Sequence, residues 1–152
     1  MILSRSMKLW IAAGVATLGA GCSDTFGPPE GLPYAVATSS CGPTDGPAIA
    51  IYLAEEPIES GLPSRPFVLL HVNRSLDEAA SGSWASIETG ELVASRHTPI
   101  PEAEFATSGG IRIDEVEADN TIKGRVNVVF PSGRVAGEFR AEWMDRPGFL
   151  CG

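Results

Sequence analysis

The chain has 152 residues, the size of a single domain, with 11 Lys and Arg residues against 19 Asp and Glu residues and a formal charge of −8. Because 43% of the residues are hydrophobic, a disordered chain is excluded, and no apolar run approaches the roughly 20 residues of a membrane-spanning helix. The excess of acid argues against a nucleic-acid partner and against a polybasic membrane contact, because both need a basic surface.

Residues 1–22 are typical of an export signal. Arg5 and Lys8 precede a 12-residue apolar run over 9–20, which is too short to span a bilayer and predicts the helix of a secretory signal peptide. Removing residues 1–22 leaves 130 residues with nine basic and 19 acidic groups, a charge of −10.

The end of this segment, Leu18-Gly19-Ala20-Gly21-Cys22, resembles the lipobox of bacterial lipoproteins. The resemblance implies that a diacylglycerol is attached to Cys22, that the leader is cut just before it, and that the protein is held on a lipid bilayer. Gly19 stands where the class usually has an aliphatic residue, and the alternative is a secreted protein that is cut nearby. Ser23 resembles the sorting residue of outer-membrane lipoproteins, which implies an exported protein of the outer membrane. The resemblance covers residues 1–24 alone, and no family is identified for the remainder.

A spacer and one domain follow. Residues 23–33 are rich in Pro and Gly, which cannot build a core, and predict a tether that reaches at most about 35 Å. Residues 34–152 alternate apolar and polar residues between turn signals, which predicts an all-β domain, an antiparallel β-sandwich or barrel-like sandwich. A short helix is predicted over Ser75–Ser81, with Ser75 as its N-cap and Glu78 three residues on. The predicted strands are Ala35–Ser39, Ala48–Ala54, Phe67–Asn73, Ser83–Ile87, Glu91–Arg96, Ala103–Thr107, Gly110–Glu117, Thr121–Phe130 and Arg134–Trp143.

The last three strands form a meander whose apolar residues share one face if two-residue turns lie at Ser132-Gly133 and Asp119-Asn120. This register places Phe130 opposite Val135, and the alternative is a three-residue turn with a bulge over Pro131–Gly133. The predicted apolar face consists of Ile111, Ile113, Ile122, Val126, Val128, Phe130, Val135, Phe139 and Trp143.

The opposite face of the meander is predicted to be charged. The register places Asp114 opposite Arg125 and Lys123 opposite Glu142. Upstream, Phe67–Asn73 is apolar on both faces, which predicts a central strand covered on two sides.

The cysteines predict one disulfide. With Cys22 acylated, Cys41 and Cys151 remain, and export places them where disulfides persist. A bond between them closes a loop of about 110 residues, for which loop-entropy models give roughly 4–5 kcal/mol. The alternatives are a free pair or a metal site, but neither cysteine has a close-spaced partner ligand.

Catalytic and metal motifs are not found. HExxH, CxxC and G-x-S-x-G are all absent from the sequence, and no cofactor or metal is predicted. His71 lies in an apolar strand and is interpreted as a core or edge histidine, whereas His97 lies in a Pro-bounded loop and is the better candidate for a functional surface histidine. The alternating acids over 114–120 lack the Gly and Glu positions of a calcium loop, so a solvated hairpin end is expected, with weak calcium binding as the alternative.

Trp84, beside Gly and Ser, is the candidate aromatic of a binding surface. An exposed Trp on a sandwich rim can stack on a sugar or a protein partner, and the alternative is half-buried packing. We therefore expect a membrane-anchored lipoprotein with a non-enzymatic binding or structural role in the bacterial envelope, its partner an envelope protein or a glycan. The alternative is a secreted small hydrolase whose His, Ser and acid are assembled in space.

Overall fold

The computed structural model describes residues 27–59, 61–80, 82–100, 102–145 and 151. The predicted signal helix, the lipid-attachment residue Cys22 and the first part of the predicted tether lie outside these residues. The described elements are β1 (Tyr34–Cys41), β2 (Pro47–Ala54), β3 (Phe67–Val72), α1 (Leu76–Ala79), β4 (Trp84–Ser86), β5 (Leu92–His97), β6 (Ala103–Phe105), β7 (Ser108–Val116), β8 (Ile122–Phe130) and β9 (Gly133–Trp143).

The nine strands form one curled sheet in the order β4-β7-β8-β9-β1-β2-β3-β5-β6. Neighbouring strands are antiparallel except β1 and β9, which run parallel and pair only at Val36 with Glu142 and at Ala37 with Trp143. The all-β, barrel-like prediction is confirmed. The sheet is continuous through the β1–β9 seam, however, and is mixed rather than purely antiparallel.

Curling brings the two halves of the sheet onto one core. We call β4, β7, β8 and β9 the meander half, and β1, β2, β3, β5 and β6 the N-terminal half. Residues that alternate along the strands of both halves are buried together, because successive side chains of a strand point to opposite faces. We call this shared face the inner face; its largest fully buried side chains are Phe130, Ile49, Ile51, Leu53, Leu70, Leu92, Ile111 and Ile122.

The meander has the predicted inner face but a different register. Phe130 pairs with Gly133 and Val128 with Val135, so the turn lies at Pro131-Ser132 and the pairing is offset by two residues from the prediction. Because side chains alternate with a period of two, this offset leaves every residue on its predicted face. Eight of the nine predicted apolar residues are buried, and Trp143 packs against the core half-buried.

The observed registers, together with a bulge in β7, change the charged pairs on the outer face. The pairing between β7 and β8 shifts between Ile113 and Glu115, so Arg112 rather than Asp114 lies opposite Arg125. Lys123 lies opposite Arg140 rather than Glu142. The sequence carries a signal for this bulge, because two exposed polar residues, Asp114 and Glu115, stand between Ile113 and Val116, which both pack on the core. The predicted strand over Gly110–Glu117 did not use this break in alternation.

The helix and the disulfide agree with the sequence predictions. Ser75 caps α1, and the reciprocal hydrogen bonds with Glu78 form the capping box. The sulfur atoms of Cys41 and Cys151 lie 2.22 Å apart, with their Cα atoms 5.5 Å apart, so the predicted pairing is confirmed.

The described part of the predicted tether packs on the domain. The backbone N–H of Glu138 donates to the carbonyl oxygen of Gly27 at 3.0 Å, and Leu32 is buried in the core. A Cβ at Gly137 would lie 2.6 Å from the backbone nitrogen of Pro29, so only glycine allows this approach. Residues 27–33 therefore cover the stretch of β9 that β1 does not pair with.

Candidate functional site

Trp84 lies on the outer face of β4, at the edge of the meander half. Its neighbour Ala85 faces the core, so alternation turns the indole outward, where 47% of Trp84 is exposed. A Cβ at Gly110 on β7 would lie 3.2 Å from Cε3 of Trp84, so the indole lies directly against the backbone of that strand. The absence of a side chain at Gly110 therefore leaves room for the indole, and Trp84, the predicted surface residue, is exposed.

A shallow depression of about 190 Å³ lies beside this indole. Its floor follows a row of small or short residues across three strands, in which Gly110 pairs with Asn127 and Asn127 with Ala136. We call it the Trp84 depression; it is lined by Trp84, Arg125, Val126, Asn127, Arg134, Ala136 and Gly137.

Arg125, at one end of the depression, shares a carboxylate with Arg112, which lies outside the lining. Arg125 donates from Nε and Nη2 to the two oxygens of Asp114, both at 2.9 Å, and this contact lowers the pKa of Asp114. Nε of Arg112 lies 2.8 Å from Oδ1 of the same Asp114, in an ion pair that lacks hydrogen-bond alignment. The nearby charge of Glu138 adds to the Asp114 contact in raising the pKa of Arg125.

Arg134 borders the other end and differs from these two. Its Nε donates to Oδ1 of Asn127 at 2.7 Å, and within the described residues no carboxylate oxygen lies within ion-pair distance of its guanidinium. The contact to Asn127 holds the planar guanidinium at the depression while its terminal nitrogens keep hydrogen-bonding capacity. The depression therefore combines an aromatic face, an amide and an unneutralised cation.

His97 lies elsewhere. It ends β5 in the N-terminal half, where its ring stacks on Phe67 at 4.5 Å between centroids, and its Nε2 lies 3.0 Å from Oγ of Ser95. Burial and, to a smaller extent, the charge of Arg65 lower the pKa of His97. Since His97 does not line the Trp84 depression, the two predicted surface residues do not form one site.

His71 has partners that the sequence did not reveal. On the outer face of β3, its Nε2 lies 2.8 Å from Oγ of Ser40 and its Nδ1 lies 3.1 Å from Oδ1 of Asn73. Ser40 is 31 residues away in sequence and two strands away in the sheet. The only sequence signal was the pair of alanines in the intervening strand, Ala48 and Ala50, which leave room for a side chain to reach across β2.

The acidic hairpin end is occupied by ion pairs and a turn. Lys123 contacts Glu115 at 3.1 Å and Glu117 at 3.0 Å, and Asp119 accepts a hydrogen bond from the backbone N–H of Thr121 at 3.0 Å. Hydrogen bonds from Lys123 and then Arg140 lower the pKa of Glu117. Within the described part of the chain, no group of three or more His, Cys, Asp or Glu side chains is placed to hold a metal ion.

A larger cavity, about 440 Å³, lies where residues 27–33 meet β8 and β9. The charged side chains Asp114, Glu115, Lys123 and Arg140 at its walls already form ion pairs. The cavity therefore results from the packing of residues 27–33 on β9. Its lining cations, Lys123 and Arg140, are both paired with carboxylates and do not offer a free charge to an anion.

No family model, curated protein or solved structure matches the chain. In the part of the chain that the structure describes, no helix is long and apolar enough to cross a membrane.

Proposed function

We propose that this protein is an exported lipoprotein, attached to the outer membrane through an acylated Cys22, whose domain binds an acidic polysaccharide at the Trp84 depression. The observation that carries the binding proposal is the half-exposed indole of Trp84 beside an arginine, Arg134, that has no carboxylate partner among the described residues.

The groups at the depression match a sugar chain. The flat face of an indole packs against the C–H face of a pyranose ring, and the Trp84 indole is held at the edge of an open depression rather than inside a closed cavity. Asn127 and Arg134 supply hydrogen-bond groups two and three strands away from Trp84 in the sheet. An open, shallow depression fits an extended chain better than an enclosed small molecule.

Charge selects the class of sugar. A guanidinium forms bidentate hydrogen bonds with a carboxylate, which neutral sugars lack. The domain without its leader carries a charge of −10, so most of its surface repels a polyanion. At the depression, the guanidinium of Arg134 attracts a carboxylate. A polysaccharide that contains uronic acids meets both conditions.

Lipid attachment supplies the location. Two or more acyl chains hold a protein stably at a bilayer, at about 0.8 kcal/mol per buried methylene, which an acidic domain does not achieve alone. Only residues 23–26 separate Cys22 from Gly27, which is already packed on β9, so the extended chain from Cys22 to Gly27 spans at most about 18 Å. In this proposal, β9 and the adjoining depression lie near the membrane surface and its glycans.

The anchor is tested by mass spectrometry of the protein purified from membranes. We expect a diacylated or triacylated N-terminal Cys22, and Cys22→Ser should move the protein to the soluble envelope fraction. Membrane association that is unchanged in Cys22→Ser would overturn the anchor.

Binding is tested by titrating the purified protein with hexagalacturonate and with neutral cellohexaose, following the heat of binding by isothermal titration calorimetry. We expect saturable binding of hexagalacturonate that weakens with added salt, and a loss of about tenfold or more in affinity for both Trp84→Ala and Arg134→Ala. Phe105→Ala is the matched control, because Phe105 is an exposed aromatic on the other half of the sheet and lies outside the Trp84 depression. Equal binding by wild type and Trp84→Ala, or equal binding of both sugars, would overturn the acidic-polysaccharide proposal.

A further inference from the structure

We propose that Ser40, His71 and Asn73 form a second site on the N-terminal half, an acyl-transfer site in which Ser40 is the nucleophile, His71 the general base and Asn73 the group that orients the imidazole. The site uses none of the residues of the Trp84 depression and goes beyond the binding function. It rests on the hydrogen-bond chain that joins these three side chains.

The direction of that chain is fixed from its far end. Nδ2 of Asn73 donates to the carbonyl oxygen of Gly90 at 2.9 Å, so the amide oxygen Oδ1 is the atom that faces His71. An amide oxygen only accepts, so Nδ1 of the neutral imidazole carries the hydrogen. Nε2 then holds the lone pair, and Ser40 donates its hydroxyl hydrogen to Nε2 across 2.8 Å.

This is the tautomer that a general base needs. In a nucleophile–histidine pair, the third group keeps the hydrogen of the imidazole on Nδ1. Nε2 is then free to take the proton of the hydroxyl. The distances of 2.8 Å and 3.1 Å lie within or close to hydrogen-bond range. The three residues have the relative order of a nucleophile, a base and an orienting group.

The fold builds this chain across three strands. Ser40 lies on β1 and His71 on β3, with β2 between them; Ala50 on β2 pairs with Thr38 on one side and with His71 on the other. Ala48 and Ala50 are 5% and 4% exposed although they face outward, as expected if the bridge covers them. A larger side chain at either alanine would block the contact, so the pattern of small residues on β2 is part of the site. Ser40, His71 and Asn73 remain half-buried, so solvent and a substrate can reach them.

A second Ser–His pair on the same face provides a comparison. Ser95 and His97 lie 3.0 Å apart, but His97 stacks on Phe67, and within the described residues no side chain is hydrogen-bonded to its Nδ1. Nothing there selects the tautomer in which Nε2 accepts. We therefore assign the activated hydroxyl to Ser40 and none to Ser95.

The reaction is the hydrolysis of an ester. Oγ of Ser40 attacks the ester carbonyl carbon while its proton passes to Nε2 of His71; the C–O bond to the alcohol breaks, and His71 returns that proton to the leaving alkoxide. Water then attacks the acyl-serine, gives one proton to Nε2 and releases the carboxylic acid as Ser40 recovers its hydrogen. One ester and one water give one acid and one alcohol.

A fluorophosphonate probe tests the site on the purified protein, because it phosphonylates only a serine whose hydroxyl is activated, with release of fluoride. We expect one adduct, mapped by mass spectrometry to Ser40, and turnover of p-nitrophenyl acetate above the buffer rate. His71→Gln keeps hydrogen-bonding capacity but not the base, and should slow labelling by about 100-fold or more. Asn73→Ala should slow it less than His71→Gln.

Ser95→Ala is the matched control and should label like the wild type. Near-UV circular dichroism checks that each variant is folded, and Ser40→Ala gives a second loss-of-label variant that removes only one oxygen. Absence of an adduct in the folded wild-type protein, an adduct that persists in Ser40→Ala, or labelling of folded His71→Gln at the wild-type rate would overturn the proposal. Each of these outcomes leaves hexagalacturonate binding at Trp84 unaffected, so the two proposals fail separately.

Discussion

The two halves of the sheet share one core but have different outer faces. The outer face of the meander half carries ion pairs of Asp114 with Arg112 and Arg125, and of Lys123 with Glu115. The outer face of the N-terminal half buries a second apolar cluster, made of Val36, Ala50, Tyr52, Ala54 and Phe67. A strand that is solvated on one side alternates cleanly, whereas one that is covered on both sides is apolar throughout. The two halves therefore differ in the side chains on their outer faces, and these side chains determine which ligand or reaction each half can support.

The disulfide supports the N-terminal half, and its removal is expected to have the largest effect on stability. Replacing both cysteines, Cys41→Ser with Cys151→Ser, releases a loop of 110 residues and should lower the free energy of unfolding by about 4–5 kcal/mol. Urea denaturation of the double variant against the oxidised wild type measures this loss. Dithiothreitol should destabilise the wild type and leave the double variant unchanged; equal stability of oxidised wild type and double variant would contradict the account.

Inner and outer positions of one strand should differ by the next largest amount. Phe130 on β8 is 2% exposed, and Phe130→Ala should cost about 3–5 kcal/mol in unfolding free energy because it opens a cavity in the shared core. Its neighbour Val129 is 39% exposed, and Val129→Ala should change that free energy by about 0.5 kcal/mol or less. Urea denaturation measures both losses in unfolding free energy. Similar losses for the two variants would contradict the assignment of Phe130 to the inner face and Val129 to the outer face.

Docking of residues 27–33 on β9 is expected to contribute less. Gly137→Ala places a Cβ against the backbone of Pro29 and Gly27 and should cost about 1–3 kcal/mol, with faster proteolysis of the N-terminal segment. Gly46→Ala is the control, since its Cβ would meet only the Oγ1 of Thr44 at 3.9 Å. If limited proteolysis cuts both variants at the same rate, the segment is not held there.

The ion pairs of the meander half should give the smallest change. Asp114→Asn should lower the unfolding free energy at pH 7 by about 0.5–1 kcal/mol, because the pairs are partly solvated. The pKa of Asp114 is lowered in the folded protein, chiefly by the hydrogen bond from Arg125, so its stabilisation is present above the unfolded-state pKa and is lost as the pH falls through the folded value. The two proteins should therefore converge in stability in acid, and a difference that persisted there would contradict this origin.

Alternation along the strands was enough to predict the nine strands and the buried face of the meander, and the capping pair Ser75 and Glu78 predicted the short helix. It did not predict the two-residue offset at Phe130, which leaves each side chain on its face, or the bulge at Asp114, beyond which Val116 rather than Glu115 lies on the inner face. The curling into one sheet depends on the parallel contact of β1 with β9, which joins residues more than 100 positions apart.

The candidate sites were predictable to different degrees. Trp84 was a candidate because it lies beside Gly and Ser and outside the predicted apolar face, with half-buried packing as the alternative, and 47% of it is exposed. Its partners Asn127 and Arg134 come from strands that only the register brings beside it. The link between Ser40 and His71 crosses an intervening strand, so neither local spacing nor a motif indicated it.

The central claim, that the two outer faces are separate functional surfaces, is tested most directly by an NMR titration of the ¹⁵N-labelled protein with hexagalacturonate. We predict that the indole N–H of Trp84 and the side-chain signals of Asn127 and Arg134 shift in a saturable way, while the His71 ring and the Ser40 amide do not move. Shifts centred on Ser40 and His71, or none at Trp84 at millimolar sugar, would contradict it.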